Sequence, residues 1–359
     1  MILKTSSRIL KIHPKDNIVV ALCDLNKGLT IQIDAGEFQL VTNVASKHKL
    51  SIENLNIGDY IFMYGVVVGK AVREIQKGES ITTFNISHQT ESYELPKFKK
   101  QIKWEAPKSS DFLKRTFLGY HRDNGAVGTE NNWLIIPLVF CQNRNVEILK
   151  KTMLDKFGYE KSVKDTYNID ELVHKYNSGA SENELLELDL IKSSHNNKNK
   201  PLFSNVDGIY FLTHDGGCGG ATSDAVTLCN LLAGYINNPN IAGATVLSLG
   251  CQHAQIKLVE KALKRIAPNI KKPIYFLEQQ QSKSEPEFLA DAIKKTFTGL
   301  IQANKVSRAP APLNKLTLGL ECGGSDGFSG ISANPTLGYV SDIIVGLGGS
   351  AILSEFPEL

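Results

Sequence analysis

Hydrophobic positions along the chain follow two regimes. Over residues 1–90 they come in short runs, at 18–22, 29–33, 38–41, 60–68 and 80–84. Turn residues separate the runs: Asn26-Lys27-Gly28, Asp34-Ala35-Gly36, Asn56-Ile57-Gly58-Asp59 and Gln76-Lys77-Gly78-Glu79. Short apolar runs with this punctuation predict a small all-β domain, a barrel or clip of strands. No internal repeat and no coiled-coil heptad is read in the chain.

From residue 113 the pattern changes. Near-continuous apolar runs at 133–140, 206–213, 244–249, 274–277, 316–320 and 351–354 alternate with helical periodicity at 223–236, 253–266, 285–303 and 335–345. Strands without polar alternation, interleaved with helices, predict a mostly parallel, Rossmann-like α/β sheet covered on both faces. The expected organisation is an all-β domain over 1–90, a linker over 91–112 and an α/β domain over 113–359. The linker carries Pro96, Pro107 and a solvated lysine run, Lys97, Lys99, Lys100 and Lys103. A polar insertion near 150–201 predicts one or two surface helices and a loop, with His174 and His195 as solvated histidines.

Composition narrows the function. The 359 residues carry 40 basic and 37 acidic side chains, a net charge of +3, which argues against nucleic acid as a partner. No run approaches the ~18 apolar residues of a membrane span, and no secretory signal is read at the N-terminus. A cytoplasmic protein is expected, with its six cysteines as thiols rather than bridges.

The candidate chemistry follows the predicted strands. Cys141-Gln142-Asn143 comes after the first, His214-Asp215-Gly216-Gly217-Cys218-Gly219-Gly220 after the second and Gly250-Cys251-Gln252-His253 after the third. Glu278-Gln279-Gln280-Gln281 and Glu321-Cys322-Gly323-Gly324-Ser325-Asp326 follow the next two. Open α/β sheets bind ligands beyond the carboxyl ends of their strands, and a purely structural sheet needs no polar, thiol and glycine-rich residues there. The glycine loops let backbone N–H groups approach an anion, a carboxylate as readily as a phosphate. Neither loop matches a nucleotide-binding motif, so no nucleotide is expected. Cys218, Cys251 and Cys322 allow three readings: metal ligands with His214, pocket lining, or small core residues. Cys23 and Cys229 sit within apolar runs and read as core. His214 is a candidate base. His13, three residues before Asp16, and His48 are candidate ligands of a hard cation or plain loop histidines.

Several segments resemble one family. KIHPKDNIVVAL, ASKHKL, GYHRDNGAVGTENNWLIIP, LGCQ, EQQQ and, above all, GLECGGSDGFSGISANPTLGYVSDIIVGLGGSAILSE are similar to altronate/galactarate dehydratases over about residues 8–90 and 118–359. The resemblance implies an N-terminal domain of SAF type, a β-clip, and the start of a catalytic region. It implies loss of water from a sugar acid, altronate first and galactarate second, giving a 2-keto-3-deoxy acid. A divalent metal, iron(II) or manganese(II), is implied, with His13 and His48 as its residues. By the same carry-over, His214, Cys218, Glu321, Cys322 and Asp326 are implied as catalytic. Gly219, Cys251, Gln279, Gln280, Gly323, Gly324, Ser325 and Asn334 are implied as substrate-binding. The sugar acid is the expected partner, with a homo-oligomer allowed.

The chain departs from the family in three places. The stretch around 150–200 is longer than usual, and Gly216 stands where tyrosine is common. The family also continues past the point where this chain stops, so the chain is expected to lack a C-terminal segment. If that segment completes the site, the chain alone binds without turnover. The rival readings are a sulfo-lyase of the same superfamily, a non-catalytic sugar-acid-binding fragment and, outside the family, a nicotinamide oxidoreductase.

Overall fold

The structure, a computed structural model, describes residues 8–33, 36–90, 103–160, 165–193, 200–321, 323 and 327–354. The chain forms mixed α/β architecture with a β-rich N-terminal region, in two compact units. One comprises Met1–Asp111 with Thr317–Leu359, the other Phe112–Leu316. Residues 317–359 therefore group with the N-terminal residues, a difference from the boundaries drawn on the sequence.

The N-terminal residues form nine short strands: β1 (Ile9–Leu10), β2 (Ile18–Ala21), β3 (Thr30–Ile33), β4 (Gly36–Gln39), β5 (Lys49–Ser51), β6 (Tyr60–Met63), β7 (Val66–Ala71), β8 (Ser80–Ile81) and β9 (Ile86–His88). They pair as β1-β2-β5-β8, β3-β4 and β6-β7-β9. Side chains alternate across a strand, and β2 uses both faces. Ile18 and Val20 enter a cluster with Leu55, Ile61 and Ile75, whereas Val19 and Ala21 join Leu25, Ile31 and Leu50. The run at 60–68, read as one strand, is the β6–β7 hairpin turning at Tyr64-Gly65, both at positive φ.

One local turn recurs four times, which the sequence reading did not see. Leu25 pairs with Val44, and Leu55 with Ile75, as isolated bridges. Three residues beyond each bridge stands a residue at positive φ: Gly28 (84°), Lys47 (71°), Gly58 (93°) and Gly78 (86°). Three copies read apolar-x-x-Gly, at Leu25–Gly28, Leu55–Gly58 and Ile75–Gly78, and Lys47 in place of the glycine hides the fourth.

In the second unit, β10 (Thr116–His121) pairs antiparallel with β11 (Val127–Gly128). The core strand β12 (Asn132–Pro137) follows, then helix α1 (Asn143–Met153). A ribbon of β13 (Asp165–Tyr167) and β14 (Ile191–Ser193) brackets α2 (Ile169–Asn177) and α3 (Glu182–Leu186). Next come β15 (Gly208–Phe211), α4 (Thr222–Asn237), β16 (Ile241–Ser248), α5 (Ile256–Ile266), β17 (Ile274–Glu278) and α6 (Glu285–Ala303). Finally β18 (Ala309–Pro312) pairs antiparallel with β10.

The parallel sheet has the order β15-β12-β16-β17. Trp133 and Ile135 of β12 pack under α1 and α6, while Leu134 and Ile136 pack under α4 and α5. The continuous apolar run exists because both faces are covered. Trp133 also explains two glycines: a Cβ on Gly299 would stand 2.0 Å from its ring, and one on Gly243 2.4 Å away. Its Nε1–H donates to Thr245 Oγ1 at 3.0 Å, which in turn meets Thr296.

The last strands, expected in that sheet, pair with each other instead among the described residues. β19 (Thr317–Leu320) and β20 (Ser350–Leu353) form a separate parallel pair joined through α7 (Ala333–Gly346). Among the described residues no helix is long and apolar enough to cross a membrane.

Candidate functional site

The topology selects one edge of the parallel sheet. From the first core strand, β12, the chain adds β15 on one side and then β16 on the other, so the connections diverge above the carboxyl ends of β12 and β16. Such a switch point leaves a crevice where ligands bind.

Four loops interlock at that edge. The loop after β15 docks through its backbone: Phe140 N–H donates to Gly216 O and Ala254 N–H to Gly217 O, each at 3.0 Å. Gly217 has φ 98°, and a Cβ there would lie 2.1 Å from Leu138 O, so this approach requires glycine. Gly219, at φ 75°, is open to its surroundings. Gln280 joins the loops after β16 and β17: its N–H donates to Leu249 O, and its side-chain oxygen covers Gly250, itself at φ 121°.

His214 belongs to this lock. Its Nε2 donates to Pro137 O at 2.8 Å, and its Nδ1 accepts from Gly216 N–H at 3.2 Å. The carbonyl partner fixes the proton on Nε2. As bonded, the ring fastens its loop to the end of β12, with both nitrogens engaged.

Beside it lies a cluster of amides. Gln142 Nε2 donates to Gln279 Oε1, and Asn145 Nδ2 donates to Gln142 Oε1 at 2.8 Å and Gln279 Oε1 at 3.3 Å. Gln142 and Asn145 are buried, and Asn145 Oδ1 is buried without a hydrogen-bond partner. Amides present both donors and acceptors, the complement of a polyol. Asn145 was not singled out from the sequence. It lies inside a helix, and only the return of α1 over the sheet edge brings it to Gln279.

Cys141, Cys218 and Cys251 are exposed near these loops, so pocket lining is open to them. Cys229 is a buried residue of α4, and burial raises its thiol to about 11, which fits the core reading. Cys23, read as core, is exposed instead, because it falls in the turn after β2 rather than inside the strand.

The unit containing the N-terminal strands has its own constellation. The Asp16 carboxylate accepts from His13 N–H at 2.9 Å and Gly65 N–H at 2.8 Å, tying two turns together. Phe328 and Ile331 of the segment before α7 pack on the Ile18–Ile61 cluster. A Cβ on Gly327 would meet Lys47 Cβ at 2.7 Å, and one on Gly330 would meet the Tyr64 hydroxyl at 2.5 Å. Lys47 and Tyr64 are the non-glycine residues at positive φ among the described residues, a conformation costing ~1–2 kcal/mol each. Strain of this kind concentrates where a side chain is needed in place. Burial, and then the Asp16 carboxylate, raise the Tyr64 phenol above its ordinary range. Sequence reasoning missed both residues. The signal available for Lys47 was its place in the fourfold turn, where the other three copies have glycine.

The two histidines expected to hold a divalent ion differ in readiness. His48 Nδ1 donates to Ser46 O at 3.2 Å, which leaves Nε2 as the unprotonated nitrogen, the tautomer of a ligating imidazole. His13 Nδ1 accepts from Lys15 N–H at 3.2 Å, which leaves the proton on Nε2. Among the described residues no three His, Cys, Asp or Glu gather to hold a metal ion.

Glu321 is exposed after β19, Gly323 is exposed with open space at its Cα, and Asn334 is exposed in the first turn of α7. Cys322, Gly324, Ser325 and Asp326 lie outside the described residues, as do His195 and linker residues Lys97, Lys99 and Lys100.

Comparison with known proteins agrees along the chain. The family model for the altronate/galactarate dehydratase SAF domain matches residues 7–89. The model for the second domain of D-galactarate dehydratase/altronate hydrolase matches residues 119–304, and the C-terminal model of the same family matches 313–359. Altronate dehydratase of Bacillus subtilis (strain 168) is 30% identical over 350 residues, covering 98% of this chain and 60% of that protein. Altronate dehydratase of Escherichia coli (strain K12) is 27% identical with the same coverage. Galactarate dehydratase (L-threo-forming) of Escherichia coli (strain K12) is 26% identical, over 98% of this chain and 59% of that protein. The chain thus spans about 60% of the length of these curated relatives.

Proposed function

The chain belongs to the D-galactarate dehydratase/altronate hydrolase family, and from that premise we propose that it eliminates water from a sugar acid to give a 2-keto-3-deoxy acid. Altronate is the first candidate substrate and galactarate the second. The observation that carries this reading is the interlocked edge of the parallel sheet, where glycine backbone and buried amides converge from four loops.

Elimination removes a weakly acidic proton α to a carboxylate, and charge develops on the carboxylate oxygens. Backbone N–H groups of the loop around Gly219 suit that charge, because preorganised donors stabilise it without reorganisation. Gln142, Asn145 and Gln279 suit the hydroxyls of the sugar chain. In this proposal His214 positions the glycine loop, and it serves as the base only if Nδ1 releases Gly216 N–H. Glu321, Cys322 and Asp326 remain proposed acid–base residues. Iron(II) or manganese(II) is part of the proposal on family grounds; when bound it would supply Lewis acidity, with His48 the readier of the two candidate ligands.

The test is a dehydration assay on a panel of aldonates and aldarates, under reducing conditions, with and without iron(II), manganese(II) and chelator. Formation of a 2-keto-3-deoxy acid from one substrate supports the reading. Release of sulfite from a sulfonated hydroxy acid would instead make the protein a sulfo-lyase. Ligand-induced thermal stabilisation without product would make the chain a binding fragment.

A further inference from the structure

A cavity lies at the other end of the parallel sheet from the proposed catalytic edge. Its volume is about 320 Å³, at the lower end of the range of small-molecule sites. Ala242 near the start of β16 and Pro273 just before β17 place it at the amino ends of those strands. β16 spans eight residues, so ~25 Å separates the cavity from the carboxyl edge. Asn237, Ile266 and Ala303, the last residues of α4, α5 and α6, line it, as do the end of β10 and the turn that follows, 121–124.

Its walls combine cations with hydrocarbon. Among the lining residues Arg122, Lys271 and Lys272, with His121 beside them, stand against a single carboxylate, Asp123. Arg122 and Lys272 are half-buried, yet among the described residues neither meets an acid in an ion pair. Their hydrogen bonds go to neutral acceptors instead. Arg122 Nε donates to Pro239 O at 2.7 Å and its Nη2 to Asn131 Oδ1 at 2.9 Å. Lys272 Nζ donates to the carbonyls of Ile236, Asn237 and Asn238. Buried charges are normally paired, and these two are not. Burial lowers the Lys272 ammonium, and the like charge of Arg122 lowers it further, so the two cations stand within electrostatic reach of each other. The carbonyl ends of three helices disfavour an anion here. Lys272 answers the end of α4, and Lys264 and Arg265 in its last turn answer that of α5, so the formal positive excess prevails.

Ile266, Ile270 and Val306, with Pro268 and Pro273, supply the apolar part of the lining. An inorganic anion would leave that wall uncovered, and a neutral hydrocarbon would leave the cations unpaired. We propose that this cavity is a binding site for a small aliphatic carboxylate. Its carboxylate group is held by Arg122, Lys271 and Lys272, and its hydrocarbon chain lies against Ile266, Ile270 and Val306. The anion supplies the charge compensation that the chain itself does not, and the hydrocarbon removes apolar wall from water. Nothing in this site depends on the reaction catalysed at the other edge.

The test is titration calorimetry of the full chain with sodium hexanoate. Hexan-1-ol probes the apolar wall alone, and inorganic phosphate probes the cations alone. Hexanoate is expected to bind at least ~10-fold more tightly than either. Lys272→Met, which keeps side-chain length, and Lys271→Glu, on an exposed residue, are each expected to weaken hexanoate binding by at least ~10-fold. Val306→Trp is expected to abolish it by filling the cavity. Circular dichroism checks that each variant is folded. Gln279→Met, at the carboxyl edge, is expected to leave hexanoate binding unchanged. A wild type that does not bind hexanoate would overturn the proposal, as would equal affinity for hexan-1-ol or phosphate. Hexanoate binding indifferent to all three cavity changes would also overturn it. So would loss of binding in Gln279→Met, since the ligand would then sit at the other edge.

Discussion

Lys47 and Gly327 meet so closely that a Cβ on the glycine would stand 2.7 Å from the lysine Cβ. Lys47 occupies this place at φ 71°, at the turn position that Gly28, Gly58 and Gly78 fill in the other copies of the motif. A lysine held where glycine belongs is expected to serve function at the expense of stability. Lys47→Gly should stabilise the protein by ~1 kcal/mol, measured by urea denaturation, because it removes left-handed strain. A less stable variant would mean that the contacts of the lysine side chain with Gly327 and Phe328 outweigh the strain.

Gly217 tests the sheet edge. Its φ of 98° and the 2.1 Å approach of Leu138 O leave no room for a side chain. Gly217→Ala should cost ~1–3 kcal/mol of stability and abolish turnover, since the loop carrying Cys218 and Gly219 must lift from β12. Full activity in this variant would show that the loop conformation is irrelevant to the chemistry.

The amide cluster separates binding from catalysis. Gln279→Met keeps side-chain length but leaves Gln142 Nε2 and Asn145 Nδ2 without their shared acceptor. We expect KM for the sugar acid to rise by ~10-fold or more, with a smaller change in kcat, the signature of lost uniform binding. An unchanged KM would mean that the cluster only braces the loops.

Thiol chemistry reports the same edge. Cys23, Cys141, Cys218 and Cys251 are exposed, whereas burial holds the Cys229 thiol at about 11. Alkylation of the native protein followed by peptide mass spectrometry should label the four exposed thiols well before Cys229. Bound sugar acid should slow labelling of Cys218 and Cys251 but not of Cys23.

A pH effect follows from Lys272, far from those loops. Its ammonium donates to the carbonyls of Ile236, Asn237 and Asn238 at the end of α4. Burial, with Arg122 adding to it, nevertheless lowers it from 10.5 to about 7. Between those values the unfolded chain binds the proton and the folded chain does not, so this group makes stability rise with pH across that window. Denaturation of wild type and Lys272→Met at several pH values isolates the contribution. The wild type should gain on the variant as pH rises from about 7, and a constant difference would count against the shift.

Much of the molecule was legible in the chain because its signals are local. The run 285–303 matches α6 residue for residue, since Ser284 caps it and Pro286 sits in its first turn. The apolar runs marked β12, β15, β16 and β17, and the residues after them marked the sheet edge, because burial on two faces leaves a strand without polar alternation. The motif residues marked the family. Other features needed the third dimension. Nothing local says that 317–320 and 351–354 pair with each other and not with the main sheet, or that Asn145 comes back to Gln279. That Lys47 adopts the left-handed conformation of the glycine in the other three turns shows only in its backbone.

The sequence by itself determined the alternation of strand and helix, the β-rich start, the chemistry stationed after each strand and the family, because periodicity, capping and motif order are properties of neighbours along the chain. Only the tertiary structure decided that His214 has both nitrogens engaged, and that Tyr64 and Lys47 are held in strained turns against Gly330 and Gly327. Those depend on which distant segments share a core, and that choice is made by packing.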